Sequence, residues 1–183
     1  MPPFASILRV AENARAMGVC PRASLLPNGY LMIEAKKIIV PLNGYSTDKS
    51  TISLACHTAK RTHARIYAIY VIEVHRTLPL DADLLEERER ADSILDLAEH
   101  AAEELGQRIE TEILQARDVG TAIVEEAIEA QADLIVLGIP YRRKFGEFDL
   151  GKTVPHVLKN APCEVWICRE PIPAEHIQSE PVA

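Results

Sequence analysis

Residues 138 to 153 hold the densest group of side chains that could do chemistry. Within this segment there are three glycines, four basic side chains and the expected start of a helix. The amides and the dipole of a helix N-terminus attract an anion, Gly151 lets that anion approach the backbone, and Lys152 and Thr153 supply side-chain donors. The basic residues 142 to 144 either add to this site or lie in a solvated loop. The segment therefore predicts an anion-binding site.

Residues 146 to 153 also fit the spacing G-x-x-x-x-G-K-[ST] of a P-loop. Their context argues against that interpretation, because a P-loop follows its strand directly, whereas seven residues separate Gly146 from Gly138 at the end of the preceding strand. The carboxylates of Glu147 and Asp149 would also oppose a phosphate held in this loop. We therefore do not expect a P-loop NTPase.

The elements that must position this segment alternate regularly from residue 36 onward. Apolar runs predict strands over residues 37–42, 64–72, 109–114, 132–138 and 163–168. Helices are predicted between them over residues 48–61, 84–105, 119–130 and 150–160. Ser46 or Thr47 is expected to cap the first of these helices. The third strand alternates in polarity and is expected at an edge of the sheet.

This alternation predicts an α/β fold with a five-stranded, mostly parallel open sheet and helices on both faces. Right-handed crossovers and one reversal of direction give the strand order 3-2-1-4-5. A ligand is then expected in the crevice beyond the carboxyl ends of strands 1 and 4, where Asn43 and Gly138 lie.

Four stretches, at residues 37–44, 70–73, 132–138 and 151–166, resemble the universal stress protein family in order and spacing. The corner Asn-Ala-Pro-Cys at residues 160–163 is the most characteristic of these pieces. The resemblance covers roughly residues 36 to 169. It implies an adenine-nucleotide alpha-hydrolase-like fold and a small regulatory module that binds ATP, AMP or a related nucleotide.

Nucleotide-binding members of that family carry the motif G-x2-G-x9-G-[ST]. Gly138 and Gly151 match its first and third glycines, whereas Lys152 replaces the Ser or Thr and Thr153 follows one place later. Tyr141 replaces the second glycine. Its side chain could block a triphosphate, or the neighbouring bases could hold phosphates from a differently shaped loop.

The resemblance also implies an adenine site on the other side of the crevice. Asn43 takes the position of the family's adenine-contacting aspartate, and Val71 takes that of an adenine-contacting valine. The predicted binding residues are thus Leu42, Asn43, Val71, Gly138, Arg142, Gly151, Lys152 and Thr153.

Charge and composition limit the other classes of function. The net charge is −7, but residues 81 to 112 alone carry twelve acidic and three basic side chains, which fits one solvated helix face. An acidic chain disfavours a nucleic-acid partner. The chain lacks an apolar run of membrane-spanning length, a signal peptide and a Cys-x-x-Cys pair, so we expect a cytoplasmic protein without membrane insertion. No metal site and no catalytic constellation is indicated.

Three functions stay open: a nucleotide-binding regulatory module, a dimeric interaction module that binds no nucleotide, and a weak ATPase. The apolar fifth strand, with Val165, Trp166 and Ile167, is expected to pair with a second copy, as the resemblance also implies. The predicted organisation is an arm with a short helix over residues 1–35, the domain over 36–169 and a disordered tail over 170–183.

Overall fold

The computed structural model describes residues 23–25, 31–33, 35–141, 143–144 and 147–171. The strands of this part of the chain are β1 (Ala23–Leu25), β2 (Leu31–Ile33), β3 (Lys37–Leu42), β4 (Arg65–Glu73), β5 (Ile109–Ala116), β6 (Leu134–Ile139), β7 (Arg143–Lys144), β8 (Glu147–Phe148) and β9 (Glu164–Arg169). Its helices are α1 (Thr47–Thr62), α2 (Leu85–Glu104), α3 (Val119–Glu129) and α4 (Thr153–Asn160). Among the described residues, no helix combines the length and the apolar character needed to cross a membrane.

Five strands form the central sheet in the order β5-β4-β3-β6-β9, and all four neighbouring pairs are parallel. In terms of the five predicted strands this order is 3-2-1-4-5, so the predicted fold is confirmed. The alternating strand β5 lies at one edge and β9 at the other. The direction of strand addition reverses between β3 and β6, which leaves a crevice at their carboxyl ends.

The core consists of two layers, one on each face of the sheet. Ile38 and Val40 of β3 pack with residues of α1 and α2, whereas Ile39 between them packs with residues of α3 and α4. Successive side chains of a strand point to opposite faces, so burial of all three shows that both faces are covered. This two-sided burial explains the continuous apolar character of β3 and β6.

The acidic window over residues 81–112 is centred on α2, which carries eight of its twelve acidic residues. Ala91, Leu95, Ala98 and Ala102 are the buried residues of this helix, and they recur at the spacing of one helical face. Most of the carboxylates of this window are exposed. The charge of this helix therefore does not describe the crevice at the end of the sheet.

Several local predictions differ from the structure. Ser46 is the N-cap residue of α1, but neither its hydroxyl nor that of Thr47 makes a side-chain capping bond; the Ser46 hydroxyl donates to Glu170 Oε1 at 2.8 Å. The antiparallel pairs β1–β2 and β7–β8 were not predicted. The pair β7–β8 separates β6 from α4, an arrangement unlike the direct strand-to-helix loop of a P-loop. The predicted helix near Ile7 and the tail from residue 172 lie outside the described residues, so the predicted domain boundaries stay predictions.

Candidate functional site

A cleft of about 670 Å³ lies at the carboxyl ends of β3 and β6. Seven of the eight predicted binding residues line it: Leu42, Asn43, Val71, Gly138, Gly151, Lys152 and Thr153. The eighth, Arg142, lies outside the described residues. The cleft has two walls. The strand wall consists of the ends of β3, β4 and β6, and the turn wall consists of residues 149–153 at the start of α4.

The strand wall begins where β3 turns into α1. Gly44 has φ +79°, a conformation that favours glycine. Asp48, in the first turn of α1, accepts the backbone N–H of Asn43 at 3.1 Å and that of Gly44 at 2.7 Å. Burial raises the pKa of Asp48, and these backbone donors act against that rise. The carboxylate of Asp48 thus holds the turn that presents Asn43 to the cleft.

The side chain of Asn43 connects the two strands at the base of the cleft. Its Nδ2 donates to the carbonyl of Gly138 at 3.4 Å, and its Oδ1 accepts the N–H of Tyr45 at 3.0 Å. An amide side chain offers two donor hydrogens and two acceptor lone pairs. Asn43 therefore keeps one donor and one acceptor for a ligand, although part of its capacity serves the fold.

Glycine stands at the two predicted positions, 138 and 151, for different structural reasons. A Cβ at Gly138 would lie 2.5 Å from Thr51 Oγ1 and 3.1 Å from Thr47 Oγ1, so the close approach of α1 requires glycine there. Gly151 has φ +69°, and a Cβ there would meet nothing within 4 Å. Gly138 thus serves the packing of α1, whereas Gly151 serves a left-handed turn with open space above it.

Val71 presents its backbone to the cleft. β3 pairs with β4 only as far as Leu42, opposite Tyr70, so the last residues of β4 have β5 alone beside them. Val74 donates its N–H to Ala116 at the end of β5. Because successive residues of a strand direct their N–H and C=O groups to alternate sides, Val71 faces the β3 side. Its N–H lies opposite the Leu42 carbonyl at the last pair of the ladder, whereas its C=O lies beyond that pair, since the N–H of Gly44 donates to Asp48 instead.

The turn wall carries the charged groups. The N–H of Gly151 donates to Asp149 Oδ1 at 2.9 Å, and Lys152 Nζ contacts Glu73 Oε1 at 2.5 Å. The hydrogen bond to Glu73 raises the pKa of Lys152. α4 begins at Thr153 without a side-chain cap. Its first backbone amides are therefore not capped by a side chain. The Gly151 N–H and the Lys152 ammonium, which could attract an anion, already contact the carboxylates of Asp149 and Glu73.

Tyr141 lies outside the cleft, which bears on the departure from the family motif. Its ring stacks on that of Phe148 with centroids 5.7 Å apart and an interplanar angle of 11°. The guanidinium of Arg169 lies 5.5 Å from the Tyr141 ring centroid, and the Tyr141 N–H donates to Glu170 Oε2 at 3.2 Å. The ring is not among the groups that line the cleft. The Tyr141 ring therefore does not occupy the space where it could have blocked a triphosphate.

Sequence reasoning missed two groups of this site. It did not pair Glu73 with Lys152 of the cleft, although Glu73 directly follows the predicted second strand, at the end where ligands bind in such sheets. It also missed the role of Asp48 in holding the Asn43 turn. His156 of α4 does not line the cleft, because it packs against Gly120. Within the described ranges, no group of three or more His, Cys, Asp or Glu side chains is placed to hold a metal ion.

Comparisons with known proteins identify a family. Residues 34–169 match the model of the universal stress protein family. A universal stress protein of Methanocaldococcus jannaschii is 33% identical over 154 residues, which cover 81% of this chain and 89% of that protein. The structure of UspA from Lactobacillus plantarum shares the fold with TM-score 0.62 and 25% identity, over 73% of this chain and 97% of the other. That of the universal stress protein from Archaeoglobus fulgidus in complex with dAMP has TM-score 0.60 and 20% identity, over 74% and 98%.

Proposed function

Because the chain belongs to the universal stress protein family, we propose that it is a small regulatory module that binds an adenine nucleotide, AMP or ATP, in the cleft between β3 and β6. The observation that carries this proposal is the meeting of two chemically different walls across one cleft of about 670 Å³. That volume lies within the range of about 300–1,000 Å³ found for small-molecule sites. The dAMP complex of the Archaeoglobus fulgidus protein, which has the same fold, supports it.

The strand wall suits a base. Leu42 and Ile123 are buried and provide apolar surface, while the backbone C=O of Val71 lies beyond the last pair of β3 and β4. Adenine presents an amino donor, which this C=O can accept. The remaining donor and acceptor of Asn43 lie at the same wall. We therefore place the adenosine half of the ligand here.

The turn wall suits a phosphate. Gly151 leaves open space above the backbone, Lys152 supplies a cation and Thr153 supplies a hydroxyl, all at the start of α4. Helix N-termini with such groups bind anions. Because the Tyr141 ring lies outside the cleft, a phosphate has room to approach this wall. These features favour binding over the alternative of an interaction module that takes no nucleotide.

Isothermal titration of adenosine, AMP and ATP into the wild-type chain tests the proposal. Val71→Phe places a larger side chain at the proposed base position and should weaken binding of AMP by about 5- to 150-fold, since overfilling a packed site costs roughly 1–3 kcal/mol. Ile128→Phe is the matched control, because Ile128 is exposed on α3 at the opposite end of the sheet. AMP affinity should stay unchanged in this control.

The outcomes separate the three candidate functions. Absence of heat and of thermal stabilisation with every ligand would overturn the proposal and favour the interaction module. Binding that is unaffected by Val71→Phe would place the ligand elsewhere. Release of phosphate from ATP that disappears in Lys152→Gln would support the weak ATPase.

We further propose that the module acts as a homodimer through β9. This strand is an edge of the sheet, and Ile167 is 38% exposed there. Trp166 is partly buried against the core and donates its Nε1–H to Glu164 at 2.8 Å. An exposed apolar edge strand tends to pair with another chain. Light scattering should show a dimer that Ile167→Lys weakens, while Glu112→Lys on the opposite edge strand leaves it intact.

The proposed regulatory role and its cytoplasmic location follow from family membership and the sequence, and both remain predictions.

A further inference from the structure

The anion-attracting groups of the turn wall are already paired with carboxylates of the chain. The N–H of Gly151 donates to Asp149 Oδ1 at 2.9 Å, and this carboxylate lines the cleft. Lys152 contacts Glu73, whose strand ends at the same opening. A phosphate that reaches these two groups must displace or approach both carboxylates.

Among the side chains that the structure describes, the charge around the turn wall is negative. Lys152 is the cation, and its surroundings contain the carboxylates of Glu73, Asp149 and Asp118. Asp118 is the N-cap residue of α3, where it accepts the N–H of Thr121 at 2.8 Å, and it lies close enough to stabilise the charged form of Lys152. Each further negative charge on a ligand is therefore opposed by more than one fixed carboxylate.

These pairs are exposed enough to exchange partners. The side chains of Lys152 and Glu73 are 63% and 45% exposed, and Asp149 is exposed as well. Ion pairs of this kind contribute little to folding stability, so the fold does not depend on keeping them closed. Their effect falls on whatever charge enters the cleft, because an unpaired carboxylate beside a phosphate is repelled at short range.

We propose that Asp149 and Glu73 are specificity-determining residues that act as built-in counter-ions and make the cleft discriminate against multiply charged nucleotides. This inference rests on the proposed adenine-nucleotide site and adds which ligands that site disfavours. The cleft penalises a triphosphate most and a nucleoside not at all, because adenosine brings no charge to the turn wall. The base half of the ligand is unaffected, since Asp149 lies on the turn wall and Glu73, although it ends β4, directs its carboxylate to Lys152 of the turn wall.

The test compares the ratio of the ATP and adenosine dissociation constants between variants, measured by titration without divalent cations at one ionic strength. Asp149→Asn and Glu73→Gln remove one charge each and retain the size and an acceptor oxygen. Each should lower the ratio about three- to tenfold, the range expected for one partly screened charge at short distance. The double variant should lower it further, and adenosine affinity should stay constant throughout.

Asp92→Asn is the matched control, because it removes the same charge from the exposed face of α2, away from the cleft. The ratio should not change in this variant. An unchanged ratio in the double variant, with adenosine still bound, would overturn the counter-ion role and leave the proposed function intact. A failure of adenosine, AMP and ATP to bind any variant would overturn the proposed function and this inference with it. Melting curves of each variant confirm that the fold is retained.

Discussion

The two walls of the cleft differ in what their residues do for the fold. In the strand wall, Asn43 and Gly138 are tied into the sheet and the packing of α1. In the turn wall, Gly151 and Lys152 meet open space and exposed carboxylates. Substitutions of these strand-wall residues should therefore affect the free energy of unfolding more than the affinity for a ligand. Substitutions in the turn wall should change the recognition of charge at little cost to the fold.

The largest expected effect is that of Gly138→Ala in the strand wall. Its Cβ would lie 2.5 Å from the buried Thr51 hydroxyl and 3.1 Å from that of Thr47, so α1 must shift. Overpacking of this kind costs about 1–3 kcal/mol. Denaturant unfolding should show a free energy of unfolding lower by that amount.

A double variant checks the cause of this loss. Thr51→Ala removes the nearest atom, so the combination of Gly138→Ala and Thr51→Ala should be less destabilising than the sum of the single changes. Strict additivity would contradict the steric explanation for this glycine.

A smaller loss is expected for Gly151→Ala in the turn wall. A Cβ there meets no atom within 4 Å, but φ is +69°, so the cost is that of the left-handed conformation alone, about 1–2 kcal/mol. Gly151→Asn should restore part of the lost stability, because asparagine tolerates this conformation. If Gly151→Asn proved as destabilising as Gly151→Ala in thermal melts, contacts rather than backbone conformation would explain the glycine.

The pH dependence of stability should have opposite signs at two carboxylates near the two walls. Burial raises the pKa of Asp48 above its ordinary value of 3.8, so ionised Asp48 destabilises the folded state at neutral pH. Its favourable contribution grows as the pH falls through the raised pKa and is complete below 3.8. The N–H of Thr121 lowers the pKa of Asp118, so its contribution is present above 3.8 and is lost as the pH falls through the lowered value.

Unfolding free energies measured between neutral pH and the acid transition check these signs. In the wild type, the contribution of Asp48 to the free energy of unfolding increases as the pH falls, and Asp48→Asn should remove that increase. The contribution of Asp118 decreases as the pH falls, and Asp118→Asn should remove that decrease. Curves for the two variants that shift in the same direction relative to the wild type would contradict this difference between the walls.

The smallest effect on stability is expected for Glu73→Gln. Its partner Lys152 is 63% exposed, and exposed ion pairs contribute about 0–1 kcal/mol. The melting temperature should therefore stay nearly constant while the selectivity for ligand charge changes. A large loss of stability would mean that the turn wall, like the strand wall, is part of the structural core.

Much of this architecture could be predicted because local patterns determine it. The nearly continuous apolar run over residues 64–72 predicted a strand covered on both faces, and the alternation from residue 109 predicted an edge strand. Turn residues between these runs gave helix and strand limits close to the observed ones. From the alternation of elements, general rules of handedness then gave the strand order and the position of the cleft.

The details of the cleft could not be predicted, because they depend on atoms that are distant in sequence. Gly138 matches a ligand motif, yet its lack of a side chain is required by Thr51, which lies on α1. The sequence left open whether Tyr141 blocks a triphosphate, and only the structure shows that its ring stacks on Phe148 beside Arg169. Lys152 was predicted as a binding residue, but its pairing with Glu73 spans 79 positions.

The sequence by itself determined the order of strands and helices, the family and the seven described residues that meet at the cleft. The order of elements follows from periodicity and turn residues, whereas the family and the residues of the site follow from the resemblance of short motifs to the universal stress proteins; all of these signals lie in nearby positions of the chain. Only the tertiary structure decided which of those residues serve the fold and which are open to a ligand. That division depends on how α1 packs, which groups the Tyr141 ring contacts and which carboxylate pairs with Lys152. Such contacts join residues that are distant in sequence and form only when the chain folds.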